Sequence, residues 1–171
     1  MELLLNTCIL RKFSLKDAQS LAQQANNKNI ADYLRDIFPH PYTTKDAYFY
    51  IEHAANDLRN LILAIDVDGK AVGSIGIHPQ TDVYRKNAEL GYWLGEQYWG
   101  RGIVTEAVKA ITEYGFKNYS LHRIYADVFE NNAGSARVLE KAGFTREAVH
   151  RKAVIKNGVI MDEYVYAKVL I

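Results

Sequence analysis

The run AELGYWLGEQYWGRGIVTEAV, residues 88–108, places a strand-like stretch, a tight turn and a helix-like stretch in direct succession. Over 88–94, Glu89, Gly91 and Trp93 fall on one side of a period-two pattern. Leu90, Tyr92 and Leu94 fall on the other. After the turn, Val104, Ala107, Val108, Ile111, Tyr114 and Gly115 recur at helical spacing, which predicts a helix over 103–117. Between the two stand Gly100, Arg101 and Gly102. Glycines expose backbone N–H groups without a side chain in the way. A following helix adds unpaired N–H groups and the positive end of its dipole, so phosphate or pyrophosphate is a natural guest. Arg101 contributes a fixed positive charge, and Thr105 a hydroxyl. The alternative is a turn that only redirects the chain. Two familiar phosphate motifs do not fit. No lysine followed by serine or threonine follows these glycines, and no third glycine completes a dinucleotide fingerprint near a first strand.

The remaining pattern is mixed. A strand is expected over 4–13, then helical spacing from Ala18 after Ser14 and Asp17, a capping-box pair. A second helix is expected over 29–38, ending before Pro39-His40-Pro41. Thr43 with Asp46 marks a third helix start, with Tyr50, Ala54 and Leu58 at helical spacing. Strands over 61–67 and 71–77 flank Asp68-Gly69, a hairpin signal. A fourth strand is expected over 87–94 and a fifth over 122–128. A short helix over 133–141 should end at Gly143, and strands over 147–155 and 161–169 flank Asn157-Gly158. This order predicts an α+β fold, with helices covering a curved mixed sheet, in one domain spanning 1–171.

Composition narrows the function classes. The 171 residues suit one domain with a substantial core. Lys and Arg total 21 against 20 Asp and Glu, so there is no basic excess of the kind that marks a nucleic-acid footprint, and direct nucleic-acid binding is not expected. Cys8 is the only cysteine, which excludes an intrachain disulfide and a thiolate metal cluster within the chain. His78, His122 and His150 have no metal-ligand spacing, so no metal is expected. Residues 1–13 lack the layout of a secretion signal, and no apolar run approaches the roughly 20 residues of a membrane span. A cytoplasmic location is the resulting expectation.

Two blocks carry a family resemblance. Gln97-Tyr98-Trp99-Gly100-Arg101-Gly102 matches the Q/R-x-x-G-x-G/A phosphate motif of the GNAT superfamily of acyl-coenzyme A-dependent N-acyltransferases. Residues 128–144, VFENNAGSARVLEKAGF, resemble the N-x-x-S-x-R-x-L-E-K-x-G-F stretch of the branch that acetylates ribosomal-protein N-termini. AELGYWL at 88–94, WGRGIVTEA at 99–107 and FPHPYT at 38–43 also resemble that branch. The resemblance implies a GNAT-type fold in which strands four and five splay apart. It implies acetyl-coenzyme A (acetyl-CoA) as co-substrate, with its arm along Leu90, Tyr92, Trp93 and Leu94. Its pyrophosphate would meet Gln97, Trp99, Gly100, Arg101, Gly102, Ile103, Val104 and Thr105. Asn132 and Ser135 would lie at the arm or the thioester.

The implied chemistry is direct attack of a primary amine on the thioester, which needs a proton acceptor and a donor for the departing thiolate. Glu89 is the candidate base, with a structural carboxylate as its alternative. Ser135 is the candidate acid, with helix capping or simple cofactor binding as its alternatives. Many family members carry a tyrosine where this chain has Leu139, and that departure favours the serine. Asp127 and Glu130 are further candidates to hold a cationic acceptor. The acceptor is either a protein N-terminus, such as that of a ribosomal protein, or a small amine such as a polyamine, amino acid or antibiotic. A non-catalytic acyl-CoA sensor is the competing class, and a nicotinamide oxidoreductase is disfavoured by its missing fingerprint. A homodimer is expected from the resemblance alone.

Overall fold

The computed structural model describes residues 1–171. In chain order its elements are β1 (Glu2–Leu4), β2 (Ile9–Arg11), a 3-10 turn (Leu15–Asp17), α1 (Ala18–Ala25), α2 (Lys28–Ala31), α3 (Thr44–Asn56), β3 (Leu61–Val67), β4 (Lys70–Pro79), β5 (Asn87–Leu94), α4 (Ile103–Asn118), β6 (Arg123–Phe129), α5 (Ala133–Lys141), β7 (Thr145–Lys156) and β8 (Val159–Val169). The strands form one mixed sheet ordered β1-β2-β3-β4-β5-β6-β8-β7, and its one parallel pair is β5 with β6. The α+β expectation therefore holds.

The expected shape of that sheet does not. The order runs linearly from β1 to β7, so the sheet is open and does not curl closed on itself. Nor do the fourth and fifth strands by the structure's own count, β4 and β5, splay; the strands expected as fourth and fifth, over 87–94 and 122–128, are β5 and β6 here. β4 and β5 pair continuously from Gly73↔Leu94 to Pro79↔Ala88. The strand numbering itself shifts, because the single first strand expected over 4–13 is a pair, β1 and β2, joined across residues 5–8. The second helix is also shorter than expected. It stops at Ala31 and gives way to turns, well before Pro39. Leu58, placed on the apolar side of the third helix, lies beyond its end and is exposed.

Both faces of the sheet centre are covered. Ile103, Ala107, Val108 and Ile111 of α4 pack with Leu63, Ile65, Ile75, Ile77 and Leu90, and Leu139 of α5 joins them. On the opposite face Ala18, Leu21, Ala22 and Ala25 of α1 pack with Ala47 and Ile51 of α3 over Ala64 and Ala71. That double cover explains why β3 reads as a continuous apolar run rather than an alternating one. Both hairpin signals are realised. Asp68 and Gly69 have φ of 53° and 77°, and Asn157 and Gly158 have φ of 50° and 77°. Ser14 with Asp17 and Thr43 with Asp46 form complete capping boxes.

One buried ionic knot ties β2 to both layers. Arg11 Nε donates to Asp66 Oδ2 at 2.7 Å, while Nη1 and Nη2 donate to the two oxygens of Asp17 at 2.8 and 2.9 Å. Asp17 also accepts the Ser14 N–H, and Asp66 accepts the Gly69 N–H in the β3–β4 turn. Burial pushes the Asp17 carboxyl up, but the Arg11 and Ser14 hydrogen bonds outweigh it and hold it below the ordinary aspartate range. A depressed folded value means that this stabilisation is present above the ordinary range and is lost as pH falls through the folded value. Arg11→Met, which leaves two carboxylates buried without their cation, is expected to lower unfolding free energy by about 3 kcal/mol at neutral pH. Urea titration checks this, and a change below about 0.5 kcal/mol would contradict it.

Candidate active site

β5 pairs with β4 along its whole length, but with β6 only from Asn87↔Arg123 to Glu89↔Tyr125. Beyond Glu89 a cavity of about 980 Å³ is lined by residues 89–94 of β5 and 126–129 of β6. Side chains from both faces of the sheet line it. Tyr92 sits with the α4–α5 core and Trp93 with the α1–α3 core, so the cavity reaches through the sheet. Its two ends differ in charge.

At the α4 end, Trp99, Gly100, Arg101, Gly102, Ile103, Val104 and Thr105 line the cavity. Gly100 and Gly102 have φ of 74° and 78°, a region that disfavours any side chain. A Cβ at either position would meet nothing within 4 Å, so the constraint is conformational and the space beside the backbone is open. Gly102 gives α4 no side-chain cap, and the first intrahelical bond is Glu106 N–H to Gly102 C=O. The N–H groups of Ile103, Val104 and Thr105 are thus left for a ligand. Trp99 Nε1 donates to the Leu94 carbonyl at 2.8 Å and fastens the turn to the end of β5. Arg101 lies over the Tyr98 ring, and Arg137 and Lys141 of α5 line the same end. These cations and the uncapped helix fit a pyrophosphate-bearing donor. Gln97 is exposed and lies outside the lining, unlike the other residues expected to meet the donor.

In the middle, the hydroxyls of Tyr92 and Ser135 are 2.7 Å apart. Asn132 caps α5, accepting the Ser135 N–H at 3.1 Å. Burial pushes the Tyr92 phenol up, with the Ser135 bond opposing. Leu139 is buried in the core and does not reach the lining.

At the other end, Glu89 accepts a hydrogen bond from Arg35 Nη2 at 2.5 Å. His78 is its cross-strand neighbour on β4. Asp127 and Glu163 complete the charged lining, with Tyr33, Phe38 and Trp93 as an aromatic wall. Phe38 meets Trp93 edge-on at 5.6 Å. Burial, then Glu163 and Glu89, raise the Asp127 carboxyl above its ordinary value. Burial lowers His78, with Glu89 opposing. Glu130 lies outside the lining and instead accepts the Asp162 N–H. Sequence reasoning passed over Arg35, His78 and Glu163. His78 could have been found by setting 71–77 against 87–94 as a hairpin, which brings it opposite Glu89. Arg35, in the turns after α2, carries no such signal. No cluster of His, Cys, Asp and Glu is arranged to hold a metal ion.

A through-sheet cavity with an anion cradle at one end and carboxylates at the other defines a site for joining a phosphate-bearing donor to a polar acceptor. The acetyltransferase (GNAT) domain family model matches residues 8–145, and the chain belongs to that family. It is similar to the uncharacterized N-acetyltransferase YnaD of Bacillus subtilis (strain 168), with 30% identity over 160 residues, 93% of this chain and 91% of that protein. The probable N-acetyltransferase YjcK of the same organism is 42% identical over 100 residues, which span 58% of this chain and 55% of that one. The microcin C7 self immunity acetyltransferase MccE, solved in complex with acetyl-CoA and AMP, has a TM-score of 0.83 and 31% identity over 97% of this chain and 94% of its own. The ribosomal branch is one of several comparable likenesses. The putative ribosomal N-acetyltransferase YdaF of Bacillus subtilis (strain 168) is 32% identical over 65% of this chain and 60% of its own length. The spermidine N(1)-acetyltransferase of Escherichia coli (strain K12) is 27% identical over 81% and 73%. The chain is an acetyl-CoA-dependent N-acetyltransferase. No helix is long and apolar enough to cross a membrane.

Gly102→Val is expected to weaken acetyl-CoA binding at least 10-fold in folded protein, because a branched side chain disfavours positive φ and intrudes on the open cradle. Isothermal titration checks this, and unchanged affinity would remove the turn from the donor site.

Proposed function

We propose that the chain acetylates a primary amine presented as a cation, with a protein N-terminus, such as that of a ribosomal protein, as the leading acceptor. The observation that carries this reading is the charge of the acceptor end. Glu89, Asp127 and Glu163 line it against Arg35 and His78. Low-dielectric walls strengthen the attraction of such carboxylates for an ammonium group. A small-molecule polyamine is the second reading, supported by the same carboxylates and by the likeness to a spermidine acetyltransferase.

In this reading the cradle at residues 99–105 holds the donor pyrophosphate, and the edge of β5 beyond Glu89 offers backbone groups to its arm. The acceptor ammonium meets the carboxylates from the α1–α3 side of the sheet. Glu89 takes its proton, directly or through water, and the free amine attacks the thioester carbon. Ser135 protonates the departing sulfur from the α5 side. Residues 1–171 act as one domain, and a homodimer in the cytoplasm remains part of the proposal.

Incubation with acetyl-CoA and a panel of N-terminal peptides, polyamines and neutral amines, read by acetyl-group mass increase, tests the function. Acetylation confined to cationic amines supports it, and preference for an uncharged acceptor overturns it. Glu89→Gln is expected to lower kcat about 100-fold with acetyl-CoA affinity retained. Glu163→Gln should raise the KM for the cationic acceptor several-fold and leave that for acetyl-CoA unchanged. Steady-state kinetics separates the two effects.

A further inference from the structure

The Tyr92 phenol is buried beside the cavity, and both of its hydrogen-bond partners belong to Ser135. The serine Oγ lies at 2.7 Å and the serine backbone carbonyl at 3.4 Å. The serine N–H is already engaged by Asn132, so α5 holds Ser135 in place while its hydroxyl stays free to turn. When the phenol donates to Ser135 Oγ, the serine's own proton is left to point into the cavity. A serine hydroxyl is a weak acid, and an isolated alkoxide in a desolvated site is costly. A phenol, ordinarily near pH 10, is the stronger acid by far, and it is the only such group in contact with Ser135.

We propose that Tyr92 and Ser135 form a two-hydroxyl proton relay, in which the phenol reloads the serine as the serine protonates the leaving thiolate. This rests on the acetyltransferase reading above. The amine nitrogen forms its bond to the carbonyl carbon, and the C–S bond breaks with its electron pair on sulfur. The Ser135 Oγ proton passes to sulfur, and the Tyr92 Oη proton passes to Ser135 Oγ. The ammonium loses two protons on the Glu89 side, one before the attack and one after it; one leaves to solvent and the other returns through solvent to the phenolate, so the cycle balances. Burial raises the phenol, and the same desolvation acts on the serine hydroxyl and on a thiolate formed in that cavity. Tyr92 acts through Ser135 and is a positioning residue in that sense.

The test compares Tyr92→Phe, Ser135→Ala and the double variant with wild type, using the amine that the panel identifies. Tyr92→Phe is expected to lower kcat about 10- to 100-fold while the KM for acetyl-CoA changes less than about 2-fold. The double variant should be no slower than the slower single variant, because the two hydroxyls act as a unit. Site-specific replacement of Tyr92 by a fluorinated, more acidic tyrosine keeps the fold and should move the alkaline limb of kcat to lower pH. A purely structural tyrosine would not move that limb. A Tyr92→Phe rate within 2-fold of wild type, multiplicative losses in the double variant, or an unmoved alkaline limb each overturn the relay. A wild-type protein that acetylates no amine overturns the function itself, which is a separate result.

Discussion

The ladder between β4 and β5 is the constraint on which the site depends. It fixes the register of β5 from Ala88 to Leu94 against the doubly covered strand β4. Because strand side chains alternate, that register sends Glu89 and Trp93 to one face and Leu90, Tyr92 and Leu94 to the other. A slip by one residue would exchange them, putting a carboxylate in the α4 core and a phenol among the acceptor groups. Two chemistries on opposite faces of one strand therefore rest on a single pairing. Gly73 shows how close that pairing is, since a Cβ there would lie 2.4 Å from the Trp93 carbonyl oxygen.

From this register the division of labour follows. β5 pairs with β6 only as far as Glu89, and the cavity opens where that pairing stops. Cations and free N–H groups collect at the α4 and α5 ends, while carboxylates collect at the α2 side. In the proposed reaction the cavity's polarity would draw the anionic donor and the cationic acceptor to opposite ends. Structural ion pairs and carboxylate hydrogen bonds stand elsewhere. Arg11 with Asp17 and Asp66 ties β2 to the helical layer, and Glu106 clasps Asn6 and Thr7 against the start of α4.

Much of this was legible in the sequence, for local physical reasons. The glycine turn, the α4 face, both Asx-Gly hairpins and the capping boxes are set by residues within a few positions of one another. The face that Glu89 shares with Trp93 follows from strand periodicity alone. What escaped depends on long-range packing. The short α2 and the turns that bring Arg35 to Glu89 are decided by contacts distant in sequence, including Lys156 with Asp36 and Asn157 with Asp32 at the tip of the β7–β8 hairpin. The shape of the sheet is a collective property of all its pairings, and the expected curl and strand count failed there, because residues 2–11 form two paired strands and the sheet runs open from β1 to β7. Tyr92 was read only as a donor contact, because nothing local reveals that α5 returns Ser135 to its hydroxyl.

The most direct test of the central claim is a crystal structure with acetyl-CoA bound. The account predicts the pyrophosphate on the backbone of residues 99–105 and the thioester inside the sheet, with Ser135 on one side of it and Glu89 on the other. A donor bound with its pyrophosphate away from this turn, or with its thioester on the outer surface, would contradict the account.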